Sequence, residues 1–422
     1  MSKALQGKQV AGLLALSLAL TACGGGSDSG SSSNNTPPVA KPPVTTPPVT
    51  TPPVVVPPVT TPPVVVPPVT TPPSNSGDGA KTPLASIGNK SHEGAALAVT
   101  NFISLERQSC GLSGLSYDPK LAAMSTQHAN YIQHVLTKTK IGNLNPHEEN
   151  GFVGFEKDTG SGNPYFSGVT FNDRLIAANP ATPTYYASEN IVQRTLSSSD
   201  GLVESPEYAG LSMARGLMSA PYHLRMLVNP DRVKSGTSIV TFTPNNRDAA
   251  TSLGYVLVDT AASASNAAPV VPAGIITYPC AATTGTVTAL YNESPDPTLG
   301  TGRNLRTDPI GQPIHILMPS AKEIKVSNIK VTDVARKINV PIQTIDYNSD
   351  PYRGTNYELP KNEAFIMPLT DTFKSCEAGK VYNRTNCGLY GNSQYEVSFD
   401  VLADDKAMIS KKFTFKTGNV NY

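Results

Sequence analysis

The chain has 422 residues, a net charge of +1 and 15% charged residues, with 38 prolines, 33 glycines, 5 cysteines and no tryptophan. This length allows more than one domain, since a domain usually takes about 100–200 residues. The balanced charge, with no basic cluster, argues against nucleic acid as a partner.

The first element is a secretion signal over residues 1–22. Lys3 and Lys8 give it a basic start, and Val10 to Leu20 is an apolar core too short for a permanent membrane span. Leu20-Thr21-Ala22-Cys23 follows and resembles the lipobox of bacterial lipoproteins. That resemblance implies lipidation of Cys23 as the first mature residue. Gly24 in place of Asp implies outer-membrane sorting in a Gram-negative cell. The expected location is therefore lipid-anchored at the outer membrane, facing the cell surface or the periplasm.

Residues 23–81 read as a stalk. From Pro37 to Pro73 the chain repeats a five-residue unit, mostly Pro-Pro-Val-Thr-Thr and Pro-Pro-Val-Val-Val. Paired prolines fix φ and force their predecessors out of the helical region. Such a segment buries no core and is expected to run as polyproline II, reaching on the order of 100 Å at about 3.1 Å per residue.

Four cysteines remain beyond Cys23: Cys110, Cys280, Cys376 and Cys387. An even number in an exported chain suggests two disulfides, with three possible pairings. Cys376 and Cys387 are close enough to close a local loop, which leaves Cys110 with Cys280. That bridge would tie together two globular regions, expected at 82–266 and 267–422.

The first region mixes helices and strands. Ala95 to Leu105 carries apolar residues at helical spacing. Asp118-Pro119 is a helix start, with Asp as cap and Pro at the first helical position. Leu121, Met124, His128, Tyr131, Ile132 and Val135 continue along one side of that helix. Tyr208 to Met218 is a shorter helix; Ser238 to Phe242 and Tyr255 to Asp259 alternate as strands. No regular βαβ repeat appears, so the class is α+β.

Short motifs follow one another: His147-Glu148-Glu149 after a Gly/Asn/Pro turn, Phe171-Asn172-Asp173-Arg174, Ser188-Glu189-Asn190-Ile191, Ser219 to Arg225, and Gly254 to Val258. Their order and spacing over about Gly94 to Asp259 resemble the bacterial branch of the CAP superfamily, the cysteine-rich secretory proteins, antigen 5 and pathogenesis-related 1 proteins. The resemblance implies an α-β-α sandwich with a central cleft. It assigns His147, Glu189 and His223 to that cleft. Two imidazoles and a carboxylate are a donor set for a divalent cation such as zinc, with His147 and His223 as ligands, and they can also exchange protons. The departures are Ser188 for the usual Gly, Ala220 where a Ser falls, and Leu224 between His223 and Arg225. The family's second acid has no secure match; Glu148, Glu204 and Glu207 are candidates. His128 and His134 read as structural or surface residues.

Other chemistry is missing. A zincin helix starting at His147 would need histidine at Gly151, and no Gly-x-Ser-x-Gly elbow or phosphate loop appears. The second region reads as strands: Gly285–Tyr291, Ile314–Met318, Ile324–Val331, Glu363–Met367, Tyr395–Val401 and Lys411–Lys416. An all-β, immunoglobulin-like sandwich is the natural way to bury them. His315 lies within one strand and reads as structural.

These residues suit a membrane-anchored binding module with a cleft for a divalent metal, a lipid, a peptide or an envelope or host surface ligand. A metal-assisted hydrolase using the same cleft and a surface adhesin are the alternatives. No assured nucleophile decides for an enzyme.

Overall fold

A computed structural model describes residues 81–178, 187–245, 247–263, 272–281, 283–380 and 384–421. The signal, Cys23, the stalk to residue 80 and the expected boundary at 266–267 lie outside the described residues. No helix among the described residues is long and apolar enough to cross a membrane.

The first region opens with β1 (Lys81–Pro83) and a short α1 (Leu84–Ile87), then α2 (Glu93–Ser109), β2 (Ser116–Tyr117) and α3 (Pro119–Lys138). Next come α4 (Phe171–Ala178), β3 (Ala187–Ser197), β4 (Leu202–Glu204), α5 (Pro206–Leu217) and α6 (Pro221–Leu227). Two long strands, β5 (Lys234–Phe242) and β6 (Ser252–Ala262), complete it. The sheet order is β2-β5-β6-β3, with β1 and β4 paired separately.

Alternation along β5 and β6 sends successive side chains to opposite faces. Ile239, Tyr255 and Leu257 share a buried cluster with Val99, Phe102 and Ile103 of α2 and Leu211 and Ala214 of α5. Val240, Val256 and Val258 pack instead with Ala129, Ile132 and Val135 of α3. Helices therefore cover both faces of the sheet. Asp118 caps α3 by accepting from the Lys120 and Leu121 amides at 2.9 and 3.2 Å. Gly236 allows α3 to lie directly on β5: a Cβ there would sit 2.0 Å from the Ala122 nitrogen. Arg107, at the end of α2, is fully buried and donates to the carbonyls of Ser113, Leu227, Asn229 and Arg232.

The second region is β-rich. It contains β7 (Ile276–Tyr278), β8 (Ile314–Leu317), β9 (Ile324–Asp333), β10 (Ile338–Val340) and β11 (Ile342–Asp346), then β12 (Glu363–Pro368), β13 (Gln394–Ala403) and β14 (Ala407–Lys416). They form two four-stranded sheets, ordered β11-β12-β8-β7 and β10-β9-β13-β14. Ile314, Ile316, Ala364 and Ile366 of the first share a cluster with Val331, Val397, Phe399 and Phe413 of the second. The alternate residues Leu317, Phe365 and Met367, with Ile276 and Tyr278, face the other way into the cluster built by α2, α5 and α6. The sheet β11-β12-β8-β7 is covered on both faces, which is why Ala364–Met367 reads as a continuous apolar run rather than an alternating one. The described residues belong to one compact unit.

One expected strand is absent. Gly285–Tyr291 makes only isolated bridges, Thr286 with Thr417 and Leu290 with Ile310. Its Thr288 and Ala289 amides donate to the Asn421 side chain at 2.7 and 3.0 Å, so a side chain replaces a ladder partner.

An ion network joins the two regions. Arg225 of α6 meets Glu363 at 3.0 and 3.3 Å, and His315 Nε2 lies 3.1 Å from the same carboxylate. Burial opposes ionisation of Glu363, but Arg225 and His315 outweigh it and hold its carboxyl at about 2. A depressed folded value stabilises the protein above the unfolded carboxylate range, and that stabilisation is lost as pH falls through the folded value. From about 4.5 to about 2, the contribution is about 3 kcal/mol. Glu363→Gln should flatten the fall in stability between about pH 5 and pH 2, read from urea midpoints. An unchanged slope would show that the pair is not coupled to folding.

Candidate functional site

Three elements meet around Glu189. β3 carries it, the loop after α3 carries His147, and α4 supplies Arg174. Glu189 and Asn190 point to opposite faces of β3, so only Glu189 reaches this cluster. His147 Nδ1 lies 3.1 Å from Glu189 Oε1. The fully buried Arg174 donates through Nη2 to both Glu189 oxygens, at 2.8 and 2.9 Å, and through the same group to the His147 carbonyl at 3.3 Å. Burial opposes ionisation of Glu189, but the His147 hydrogen bond and the charges of His128 and Arg174 outweigh it, leaving its carboxyl below the usual range.

A second layer lies beneath. His128, on the buried face of α3, approaches Glu149 Oε1 through Nδ1 at 2.8 Å and the Pro146 carbonyl through Nε2 at 2.8 Å. Glu149 also accepts from the Ser167 amide at 2.7 Å and from the Ser167 hydroxyl at 3.1 Å. Its Oε1 is 4.0 Å from Arg174 Nε, and His128 Nε2 is 4.0 Å from Glu189 Oε2. The ionisable side chains thus run His128, Glu149, Arg174, Glu189, His147, inside to outside. A cavity of about 470 Å³ opens beside Glu149, lined by Phe152, Val153, Phe166 and Val169.

His223, at the start of α6, completes the arrangement. Its ring lies 6.5 Å from that of His147, centroid to centroid, with 29° between planes. The side chains are 33% and 14% exposed for His147 and His223 respectively, so both rings reach solvent. His223 Nδ1 lies 3.1 Å from Glu293 Oε1, and the same oxygen accepts from the Tyr222 and His223 amides at 2.8 and 3.2 Å. Burial pushes the Glu293 carboxyl up, against the hydrogen bonds it receives from His223.

The three residues expected in the cleft therefore lie together: Glu189 touches His147, and His147 lies beside His223. Their roles differ from the simplest donor set. Both oxygens of Glu189 are committed to Arg174 and His147, which leaves the Nε2 atoms of the two histidines as the open donors. Among the described residues, no group of three or more His, Cys, Asp or Glu is arranged to hold a metal ion. The two imidazole Nε2 atoms are the groups of this cluster that could hold a cation, fewer than the three or four protein ligands of a usual zinc site.

Of the candidate second acids, Glu204 pairs with Arg194 at 2.8 Å and Glu148 accepts from Asn150. The acid on His223 is Glu293. His134 pairs with Asp158 at 2.8 Å. Sequence reading missed Glu149, Arg174, Glu293 and the part played by His128. A signal existed for His128, a histidine on the apolar side of a long helix. None existed for Glu293, 70 residues from the histidine that it touches.

Cys110 is bonded to Cys280 and Cys376 to Cys387, with Cα separations of 5.4 and 5.0 Å.

Residues 100–259 match the model of the cysteine-rich secretory protein family, so the chain carries a CAP domain. No curated protein matches the chain. A solved extracellular protein containing a SCP domain from Bacillus anthracis is 13% identical, with a TM-score of 0.26, and the alignment spans 41% of each chain. CopC from Methylosinus trichosporium is 10% identical over 35% of this chain and 92% of its own, with a TM-score of 0.18. PcoC, a copper resistance protein from Escherichia coli, is 11% identical over 33% and 94%, also with a TM-score of 0.18.

Proposed function

We propose that the protein is a lipid-anchored, extracytoplasmic binding module. Its CAP domain would take a divalent cation, with zinc as the test case, between His147 and His223. The observation that carries this reading is the pair of neighbouring imidazoles, each with a carboxylate at Nδ1. Such a carboxylate fixes ring orientation and raises the basicity of the opposite nitrogen. The lipid anchor rests on the Cys23 motif and the extended stalk on the proline repeat. An immunoglobulin-like closure of the C-terminal region is supported by the cluster shared between its two sheets.

A hydrolase is the second reading. It is favoured by the two part-exposed, neighbouring imidazoles of His147 and His223, which could pass protons at neutral pH. Zinc titration by calorimetry on the mature chain, beside His147→Ala/His223→Ala, tests the first reading. Binding by the wild type that the double variant loses is expected. Absence of binding by the folded wild type removes the metal and turns attention to lipid, peptide or surface ligands.

A further inference from the structure

The match to the CAP family ends at residue 259, yet the carboxylate on His223 belongs to Glu293. We propose that Glu293 is a positioning residue, through which the C-terminal region reaches back and sets the tautomer and orientation of His223. The two-histidine centre is then composite, complete only when both regions are in place.

The argument starts from one oxygen. Glu293 Oε1 receives the Tyr222 amide at 2.8 Å and the His223 amide at 3.2 Å, so it acts as an acceptor. The ring nitrogen 3.1 Å from it must therefore donate, which puts the hydrogen on Nδ1 and leaves the lone pair on Nε2. The same inference holds for His147 and Glu189. Two imidazoles with lone pairs on Nε2 then stand side by side. The two amide bonds hold the carboxylate against the main chain of α6, and its side chain has no solvent exposure. It has little freedom to follow a rotated ring.

The loop that delivers Glu293 is itself anchored. It runs between β7 and β8, and Leu290 bridges Ile310 with an amide bond of 2.8 Å. Leu290, Leu305 and Ile310 are buried in the cluster shared with α5 and α6. A second acid from the C-terminal region, Asp350, accepts from the Tyr222 hydroxyl at 2.7 Å, next to His223. α6 is thus gripped from the C-terminal side at two successive residues.

A purely structural carboxylate, present only to satisfy two amides, would leave the imidazole free to choose its tautomer. Nitrogen-15 spectra of the imidazoles of the mature chain separate the two roles. Neutral His223 in the wild type should carry its hydrogen on Nδ1. Glu293→Ala should shift His223 toward the other tautomer and leave His147 unchanged. Glu293→Gln keeps an acceptor oxygen and should keep the wild-type tautomer. Neutral wild-type His223 protonated at Nε2, or a tautomer indifferent to Glu293→Ala, would overturn the proposal. The wild-type spectrum decides even if the alanine variant does not fold.

The zinc arm rests on the metal reading above. There Glu293→Ala should weaken affinity by about 10–100-fold, the usual effect of removing a carboxylate behind a ligating histidine. If the wild type binds no zinc but shows the hydrogen on Nδ1, the metal reading fails and the positioning role stands.

Discussion

Glu189→Ala is expected to destabilise the protein by about 3–5 kcal/mol, the cost of leaving one member of a buried ion pair alone. The member left behind is Arg174, a guanidinium with no solvent exposure that makes its two shortest hydrogen bonds to this carboxylate. Its remaining hydrogen bonds go to the carbonyls of His147 and Val169 at 3.3 Å or more, and its remaining counter-charge is Glu149, whose Oε1 lies 4.0 Å from Nε and already faces His128. Those contacts replace the Glu189 carboxylate only in part.

The double variant Glu189→Leu/Arg174→Met should recover most of the loss, because replacing both members with apolar side chains of similar size is often neutral. Urea denaturation of the wild type, Glu189→Leu, Arg174→Met and the double variant at neutral pH gives the coupling directly. A loss below about 1 kcal/mol for Glu189→Ala would show that Arg174 finds water. In that case Glu189 would be free to act as a ligand. The sign with pH is also defined. The carboxyl is depressed in the folded protein, so its stabilisation is present above the unfolded carboxylate range and disappears as pH falls through the folded value.

Removing the Cys110–Cys280 bridge should cost about 4–5 kcal/mol, and removing Cys376–Cys387 about 3 kcal/mol, if the constraint acts on the unfolded chain. The difference comes from loop length, a sequence separation of 170 against 11. Longer loops lose more entropy on closure, although only logarithmically. Cys110 lies at the end of α2 and Cys280 just beyond β7, so the bridge also sits at the seam between the two regions. Alanine double replacements at each pair, compared by denaturant midpoint, test the order. A larger loss for the short loop would show that local geometry in the 376–387 segment outweighs chain entropy.

The site illustrates how function and stability are divided within one cluster. Arg174 and Glu149 neutralise buried charge and orient Glu189 and His128. His147 and His223 alone combine exposure with an uncommitted nitrogen. Variants of the inner residues should therefore be read first as stability changes, whereas variants of the two histidines test the proposed binding.

Much of this was legible from residues alone. The Asp118-Pro119 start and the apolar side from Leu121 to Val135 specify α3 by local capping and a 3.6-residue period, and neither depends on distant chain. β13 likewise follows from strict alternation of Val397, Phe399 and Val401 with polar neighbours. Pairing of the cysteines was accessible by proximity and elimination. The order of the His, Glu-Asn-Ile and His segments indicated a shared cleft and the residues within it.

Tertiary structure alone decided the rest. Gly285–Tyr291 has strand-like residues but is a loop, because Asn421 takes the amides that a ladder would need. Arg174 stood in a quoted motif with no role, since a helical arginine is ordinarily a solvated one; only the fold shows it buried on Glu189. Glu293 gave no signal at all. Its meaning depends on a loop from a different sheet folding back onto α6, and a hydrogen bond made across 70 residues leaves no periodicity, cap or spacing in the chain. Local patterns encode elements and the faces they bury, but the partner of a buried charge is set by which faces meet.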